Sequence, residues 1–239
     1  LGEPLQVVKC KNIDVLVPAW TEIIIEGEIL NEVREPEGPF SEFTNYVTGR
    51  STRNVFKVKA LHHRDNALYH SINPALSADH NTIMAFHREC DIFSTLLRTV
   101  PNVKAIHVPI SGCGIFTCYI SIKKTAEGEP LQAIFTTLAE DHCIKAVVVV
   151  DDDIDIFDEQ EVLWAISTRV QGDKDIIITP QNMGMGDMLD PSTDELYRSS
   201  KIGIDATKPL SGFPQKVEVD DRIRKRILPI VQKIYGQQQ

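Results

Sequence analysis

Two acids five residues apart carry the sharpest chemical signal in this sequence: Pro36-Glu37-Gly38-Pro39-Phe40-Ser41-Glu42-Phe43. On a regular strand, Glu37 and Glu42 would face opposite sides. The Gly-Pro step between them forces a turn, which lets both carboxylates reach one cavity. Phe40 and Phe43 would make that cavity partly apolar, a setting that raises a carboxyl pKa and suits a proton donor. Residue type alone favours the competing reading, a surface turn with solvated glutamates.

A second acidic feature, Asp151-Asp152-Asp153-Ile154-Asp155, follows the continuous apolar run Ala146–Val150. Sheets of α/β proteins place ligands at the carboxyl ends of such strands, and clustered carboxylates suit Mg²⁺ or Mn²⁺. The run resembles the Asp-x-Asp of a metal-dependent sugar-nucleotide transferase. It also resembles a haloacid-dehalogenase-type nucleophile loop, although that pattern asks for Thr or Val where Asp155 stands. Alternatively the acids complement the N-terminus of the next helix, and the residues alone leave these readings level. Among seven histidines, His62, His63 and His70 sit on a strand pattern, while His80 and His87 flank a helix start. No metal-ligand spacing links them, so they read as structural. Gly112-Cys113-Gly114 lacks the spacing of a phosphate cradle.

The elements that must position these residues follow from periodicity. Ile13–Leu30 is strand-like with Pro18 between, residues 31–54 are turn-rich, and 55–70 alternates in the manner of a hairpin pair. Apolar residues at Ile83, Phe86, Cys90, Phe93 and Leu97 predict an amphipathic helix over 81–98. Beyond it, strands at 103–109, 116–123, 146–150 and 174–179 alternate with helices at 131–139 and 158–169. Asp158 is placed to cap the second of these, with Glu161 closing a capping box. Residues 183–189 and 205–216 read as loops, and 201–208 as a short polar connection without chemistry. A last helix, 220–235, is interrupted by Pro229. This rhythm predicts an α/β class (α+β overall): a mostly β segment too open to be a closed barrel alone, then a three-layer α/β domain.

Composition bounds the function. The chain has 239 residues, 42% of them hydrophobic, which excludes a disordered or collagen-like polymer. With Lys+Arg 25 against Asp+Glu 34, the net charge of -9 disfavours nucleic-acid and membrane-surface partners. No apolar run approaches the ~20 residues of a membrane span, and no secretory signal pattern opens the chain. Five cysteines without CxxC spacing argue against a disulfide framework or zinc ribbon, so a cytoplasmic setting is expected. The chain opens on Leu1 rather than Met and runs at once into strand-like sequence, which reads as processing or as a piece of something longer.

Five stretches in order then resemble the UbiD-type prenylated-flavin-dependent decarboxylases. They are Pro18-Ala19 with Glu22-Ile-Ile-Ile-Glu26-Gly27, the motif Pro36–Phe43, Val150–Asp155, Val162–Arg169 with its central Trp164, and Lys201–Thr207. The resemblance spans about residues 17–207 and implies a carboxy-lyase that removes CO₂ reversibly from an aromatic or α,β-unsaturated carboxylic acid. It implies Glu42 as the proton donor of this prenylated-FMN covalent catalysis, and Glu37 as the partner of an arginine near the flavin. Family members carry Gly where Ser41 stands. The resemblance also implies a divalent metal (Mn²⁺ or Mg²⁺) and K⁺, with the metal and flavin-phosphate ligands and the arginine lying before Leu1, and none of them assigned within this chain. Asp151–Asp155 then reverts to a helix opening. The implied layout is the C-terminal part of a central, flavin-binding split β-barrel over 1–75, an α/β domain over 76–215, and a C-terminal helix and tail over 216–239. A flavin prenyltransferase as cofactor supplier and a homo-oligomer are the implied partners. A catalytically silent oligomerisation fragment of such an enzyme is the alternative, since the chain resembles only its C-terminal half or so.

Overall fold

The computed structural model describes residues 2–47, 51–180, 189–217 and 219–235; most of the 183–189 loop expectation lies outside them. The chain begins with a small hairpin, β1 (Val7–Lys9) against β2 (Leu16–Pro18), followed by a long antiparallel ribbon. The ribbon pairs β3 (Ile23–Glu37) with β4 (Ser51–His63). Two sequence expectations change here. Residues 31–37 are strand, because Glu32 takes up a positive φ of 60° in a bulge that lets pairing resume at Arg34. Residues 55–63 form one strand with β3 as partner, and 64–70 are not strand; no turn signal interrupts 55–63, and the chain reverses only between Glu37 and Ser51.

The two faces of the ribbon differ. Ladder pairs Ile25–Leu61, Gly27–Val58 and Ile29–Phe56 lie on one face, and the five side chains there are exposed. The other face carries Glu26, only 1% exposed, whose carboxylate accepts the backbone N–H groups of Lys11, Asn12 and Ile13 at 3.0, 2.7 and 3.1 Å. His62 Nε2 lies 2.8 Å from the same carboxylate. Burial pushes the Glu26 carboxyl up, but the two amides of Lys11 and Asn12, with His62, outweigh it and hold it below the ordinary range. A depressed carboxyl stabilises the fold above its unfolded pKa and stops doing so as pH falls through its folded value. Glu26→Ala is therefore expected to raise amide exchange at Lys11, Asn12 and Ile13 at least tenfold, with the central sheet unchanged; acidification of the parent chain gives the same pattern.

Helix α1 (Ala78–Thr99) leads into the α/β domain, its N-terminus capped by Ser77 Oγ on the His80 amide at 3.3 Å. Strand β5 (Val103–His107), a 3₁₀ turn (Ile110–Gly112), β6 (Thr117–Ile122), α2 (Glu129–Glu140), β7 (Ala146–Asp151), α3 (Glu159–Arg169), β8 (Ile176–Ile178) and β9 (Ile202–Ala206) follow. The sheet order is β5-β6-β7-β9-β8; β6, β7 and β9 are parallel and both edge strands antiparallel. Alternate residues of β7 enter two separate cores. Val147 and Val149 pack with Ile92 and Leu96 of α1 and Ile134 of α2; Val148 and Val150 pack with Val162 and Ala165 of α3. Helices thus cover both faces, giving the expected three layers.

Three further expectations are corrected. Residues 202–206, read as a polar connection, form interior strand β9, whose Gly203 is required because a Cβ there would sit 2.4 Å from Ile134 Cγ2. The capping box is not closed: Asp158 accepts from the Gln160 amide, but Glu161 reaches Asp155 N instead. Pro229 does not interrupt the last helix, α4 (Asp221–Tyr235), which continues through it. No described helix is long and apolar enough to cross a membrane.

Candidate functional site at the end of the ribbon

Glu37 is the last residue of β3 and exposed; Gly38 follows at φ +79° and re-aims the chain. Glu42 heads a tight turn. Its N–H donates to the Tyr46 carbonyl at 3.0 Å, its own carbonyl accepts from Asn45 N at 2.9 Å, and Asn45 takes the left-handed conformation that closes the loop. Ser41 bridges Val47 just outside. The turn is therefore held by backbone bonds, leaving the half-buried Glu42 carboxylate free of that task.

The aromatic pair departs from expectation. Phe40 is 48% exposed, whereas Phe43 is 5% exposed and leaves the carboxylates to join the α/β domain. There it packs with Ile115, Cys143, Met84 and Phe116, its ring 5.7 Å from that of Phe116. Phe43 is thus an anchor rather than a cavity wall. Phe43→Ala is expected to cost about 3 kcal/mol in urea unfolding and to loosen the Glu42 turn, seen as faster amide exchange at Asn45.

Sequence reasoning missed the groups that build the floor under this anchor. At the amino ends of the parallel strands, Lys201, 4% exposed, donates from Nζ to the carbonyls of His142 and Ile144 at 2.6 and 2.8 Å. Arg88 pairs with Asp141, and Lys145 binds Asp190 at 2.6 Å while lying 5.3 Å above the Phe116 ring. These bonds fix the 141–145 turn that carries Cys143 to Phe43. No local signal marks Lys201: its role follows from β9, whose conformation is fixed by pairing with β7 and β8. Arg53 was also missed. It places Nε 3.6 Å from the Glu37 carboxylate, in an exposed pair worth little by itself.

The acidic run at the opposite, carboxyl edge is already neutralised. Arg169, its side chain 1% exposed, donates to Asp151 at 2.9 Å and to both oxygens of Asp153 at 3.1 and 3.0 Å. The Lys208 amide binds Asp151, its ammonium binds Asp153 at 2.9 Å, and Lys216 Nζ reaches the Asp153 carbonyl. Burial raises the Asp151 carboxyl above its ordinary value; at Asp153 the bonds from Arg169 and Lys208 overcome burial and hold it below. Two carboxylates already shared among a guanidinium and an ammonium do not fit a divalent cation. Asp141, His142 and Cys143 come within 4.8 Å of one another, but Arg88 occupies that carboxylate as well.

Comparison with known proteins identifies the family. The family model described as the 3-octaprenyl-4-hydroxybenzoate carboxy-lyase C-terminal domain (UbiD) matches residues 81–206, and its Rift-related domain matches 1–76. The anhydromevalonate phosphate decarboxylase of Methanothermobacter thermautotrophicus is 39% identical over 207 residues, 87% of this chain and 48% of that protein. The UbiD-class enzyme HmfF from Pelotomaculum thermopropionicum, solved with FMN, superposes with a TM-score of 0.83 at 41% identity, covering 95% of this chain and 51% of that one. An evolved dimeric form of HmfF with prFMN gives 0.78 at 39% identity, covering 94% and 48%. The chain spans about half the length of these relatives. It belongs to the UbiD carboxy-lyase family.

Proposed function

We propose that this chain supplies the proton-donating wall of a prenylated-FMN-dependent decarboxylase acting on an aromatic or α,β-unsaturated carboxylic acid. One observation carries the reading: Glu42 sits on a backbone-locked turn, anchored by Phe43 to a rigid α/β domain, at the end of a ribbon whose other exposed face is apolar. That face (Ile25, Ile29, Phe56, Val58, Leu61) fits an aromatic ring system and the rest of a split barrel, to which residues 1–75 would contribute. The metal finds no fitting ligand set at either acidic cluster described above, so no step is assigned to it. When bound, prenylated FMN supplies the electron sink for CO₂ loss. Glu42 delivers the proton to the carbon that CO₂ has left, and the buried Phe43 keeps that carboxyl from swinging away. Glu37, exposed at the end of β3 and facing Arg53 across the ribbon, contributes negative charge at the site mouth.

The test is co-expression with a flavin prenyltransferase, followed by an absorbance spectrum and CO₂ release from a panel of aromatic and α,β-unsaturated carboxylic acids. Bound prenylated flavin with CO₂ release supports the reading. A colourless chain releasing no CO₂ favours the silent fragment, and a protein that binds the flavin yet decarboxylates nothing overturns the activity.

A homo-oligomer belongs to the same proposal. Along α4, Ile223, Ile227, Ile230 and Val231 form an exposed apolar stripe, beside Arg222, Arg224, Lys225 and Arg226. Deleting residues 219–239 is expected to lower the mass seen by light scattering to that of one chain.

A further inference from the structure

Helix α4 stands apart from the rest of its chain. It makes no extended contact with any other element, and every one of its described side chains is exposed. A lone helix of 15 residues is marginal in water, and Pro229 in its interior removes one of its hydrogen bonds. It needs a surface to lie on. At about 100° per residue, Ile223, Ile227, Ile230 and Val231 share one face, and Arg224 and Arg226 fall on its two flanks. Neither guanidinium has an ion-pair partner among the described residues.

The complementary surface lies at the root of the same helix. A cavity of about 560 Å³ opens there, with Asp152, Asp155 and Glu161 on one wall and Val217, Val219 and Arg224 on the other. Val217 and Val219 are exposed, so the cavity offers apolar area as well as charge. The Asp152 carboxylate has no partner among the described residues, and that of Asp155 accepts only the Phe157 amide, at 2.9 Å. Asp151 and Asp153, by contrast, are held by Arg169 and Lys208. Lys216 keeps the cavity in shape: its Nζ lies 3.1 Å from the Asp153 carbonyl, 3.5 Å from the Glu161 carboxylate and 5.2 Å from the centre of the Trp164 ring. These contacts tie the segment that carries Val217 to α3.

We propose that α4 of one copy lies in this cavity of a second copy, its apolar stripe on Val217 and Val219 and its flanking arginines against Asp152 and Asp155. The proposal rests on the α4-mediated homo-oligomer above and adds the surface that α4 seeks. Each chain carries both halves, a stripe flanked by cations and a cavity rimmed by acids, so two copies exchange helices about a two-fold axis and close. The chain's own Arg224 lines the cavity without pairing to it, which leaves the rim acids available to the partner. Charge disfavours the simpler pairing of α4 with another α4, because a helix bearing Arg222, Arg224, Lys225, Arg226 and Lys233 would then meet its own like charges.

Light scattering on the full chain and two variants tests this. Asp152→Lys with Asp155→Asn reverses the rim while keeping an oxygen for the Phe157 amide, and Arg224→Glu with Arg226→Glu reverses the helix flanks. The parent is expected at the mass of two chains and each variant alone at the mass of one, with melting temperatures near the parent's. Mixed one to one, the variants are expected to regain the two-chain mass, because reversed rim then meets reversed helix and unaltered rim meets unaltered helix. A contact within one chain cannot give that rescue. Variants that stay paired alone, or stay single when mixed, overturn the proposal. Deletion of residues 219–239 separates it from the reading beneath it. If the parent is already a single chain, or the deletion leaves its mass unchanged, both fail; if the deletion yields one chain while the charge variants remain paired, only the docking surface fails.

Discussion

Glu42→Gln is expected to reduce turnover of the flavin-loaded protein by about a thousandfold, within the range that loss of a positioned general acid produces. The substitution is nearly isosteric, and nothing that shapes the turn depends on the carboxylate. The Tyr46 and Asn45 bonds use the Glu42 backbone, and the anchoring ring belongs to Phe43. Geometry should therefore survive while the transferable proton disappears. The flavin absorbance and the melting temperature should match the parent, and KM should change little, because binding precedes proton delivery. A rate within tenfold of the parent would remove Glu42 from the chemistry and leave the turn as a structural feature. Glu37→Gln makes a useful contrast. It pairs with the exposed Arg53 at 3.6 Å, so its loss should cost little stability.

How far the sequence reached this picture depends on where each residue's partners lie. The change of direction between Glu37 and Glu42 was legible because the Gly-Pro step lies between them, whereas the 42–46 turn rests on Asn45, which the sequence did not single out. The fate of Phe43 was not legible: its orientation is set by Ile115, Phe116 and Cys143, seventy or more positions on. Strand β9 was hidden for a related reason. Lys201 and Gly203 weaken its local strand character, and only pairing with β7 and β8, with Ile134 pressed against Gly203, fixes the conformation. The three layers could be read because each core strand and helix declares its own apolar period. The β3–β4 register could not, since the bulge at Glu32 breaks the alternation that periodicity relies on.

The acidic run gives the second large effect. Arg169→Met is expected to destabilise the chain by about 3–5 kcal/mol, the cost of removing one partner from a buried ionic cluster, and so to lower the melting temperature by roughly 10 °C for a chain of this size. Methionine keeps the aliphatic stem of the side chain, so the loss reports mainly the guanidinium. Among the described residues it leaves Lys208 as the donor to the Asp151 and Asp153 carboxylates, and it removes the guanidinium lying 5.4 Å from the Trp164 ring. The sign of the pH dependence separates this from a simple packing defect. In the parent, Asp153 is held below its ordinary value and stabilises the fold at neutral pH, an effect lost as pH falls; Asp151, raised by burial, works the other way. Without the guanidinium both carboxyls move upward, protonation relieves the buried charge, and the stability gap between variant and parent should narrow from pH 7 to pH 5. Adding Asp153→Asn to Arg169→Met should recover part of the loss at pH 7, because the two sites share one network. A metal centre would behave differently: a chelator would then lower the parent's melting temperature, and Mg²⁺ would restore it. The ion-pair network requires that EDTA leave the melting temperature unchanged, since Arg169 and Lys208 already occupy the positions a cation would need.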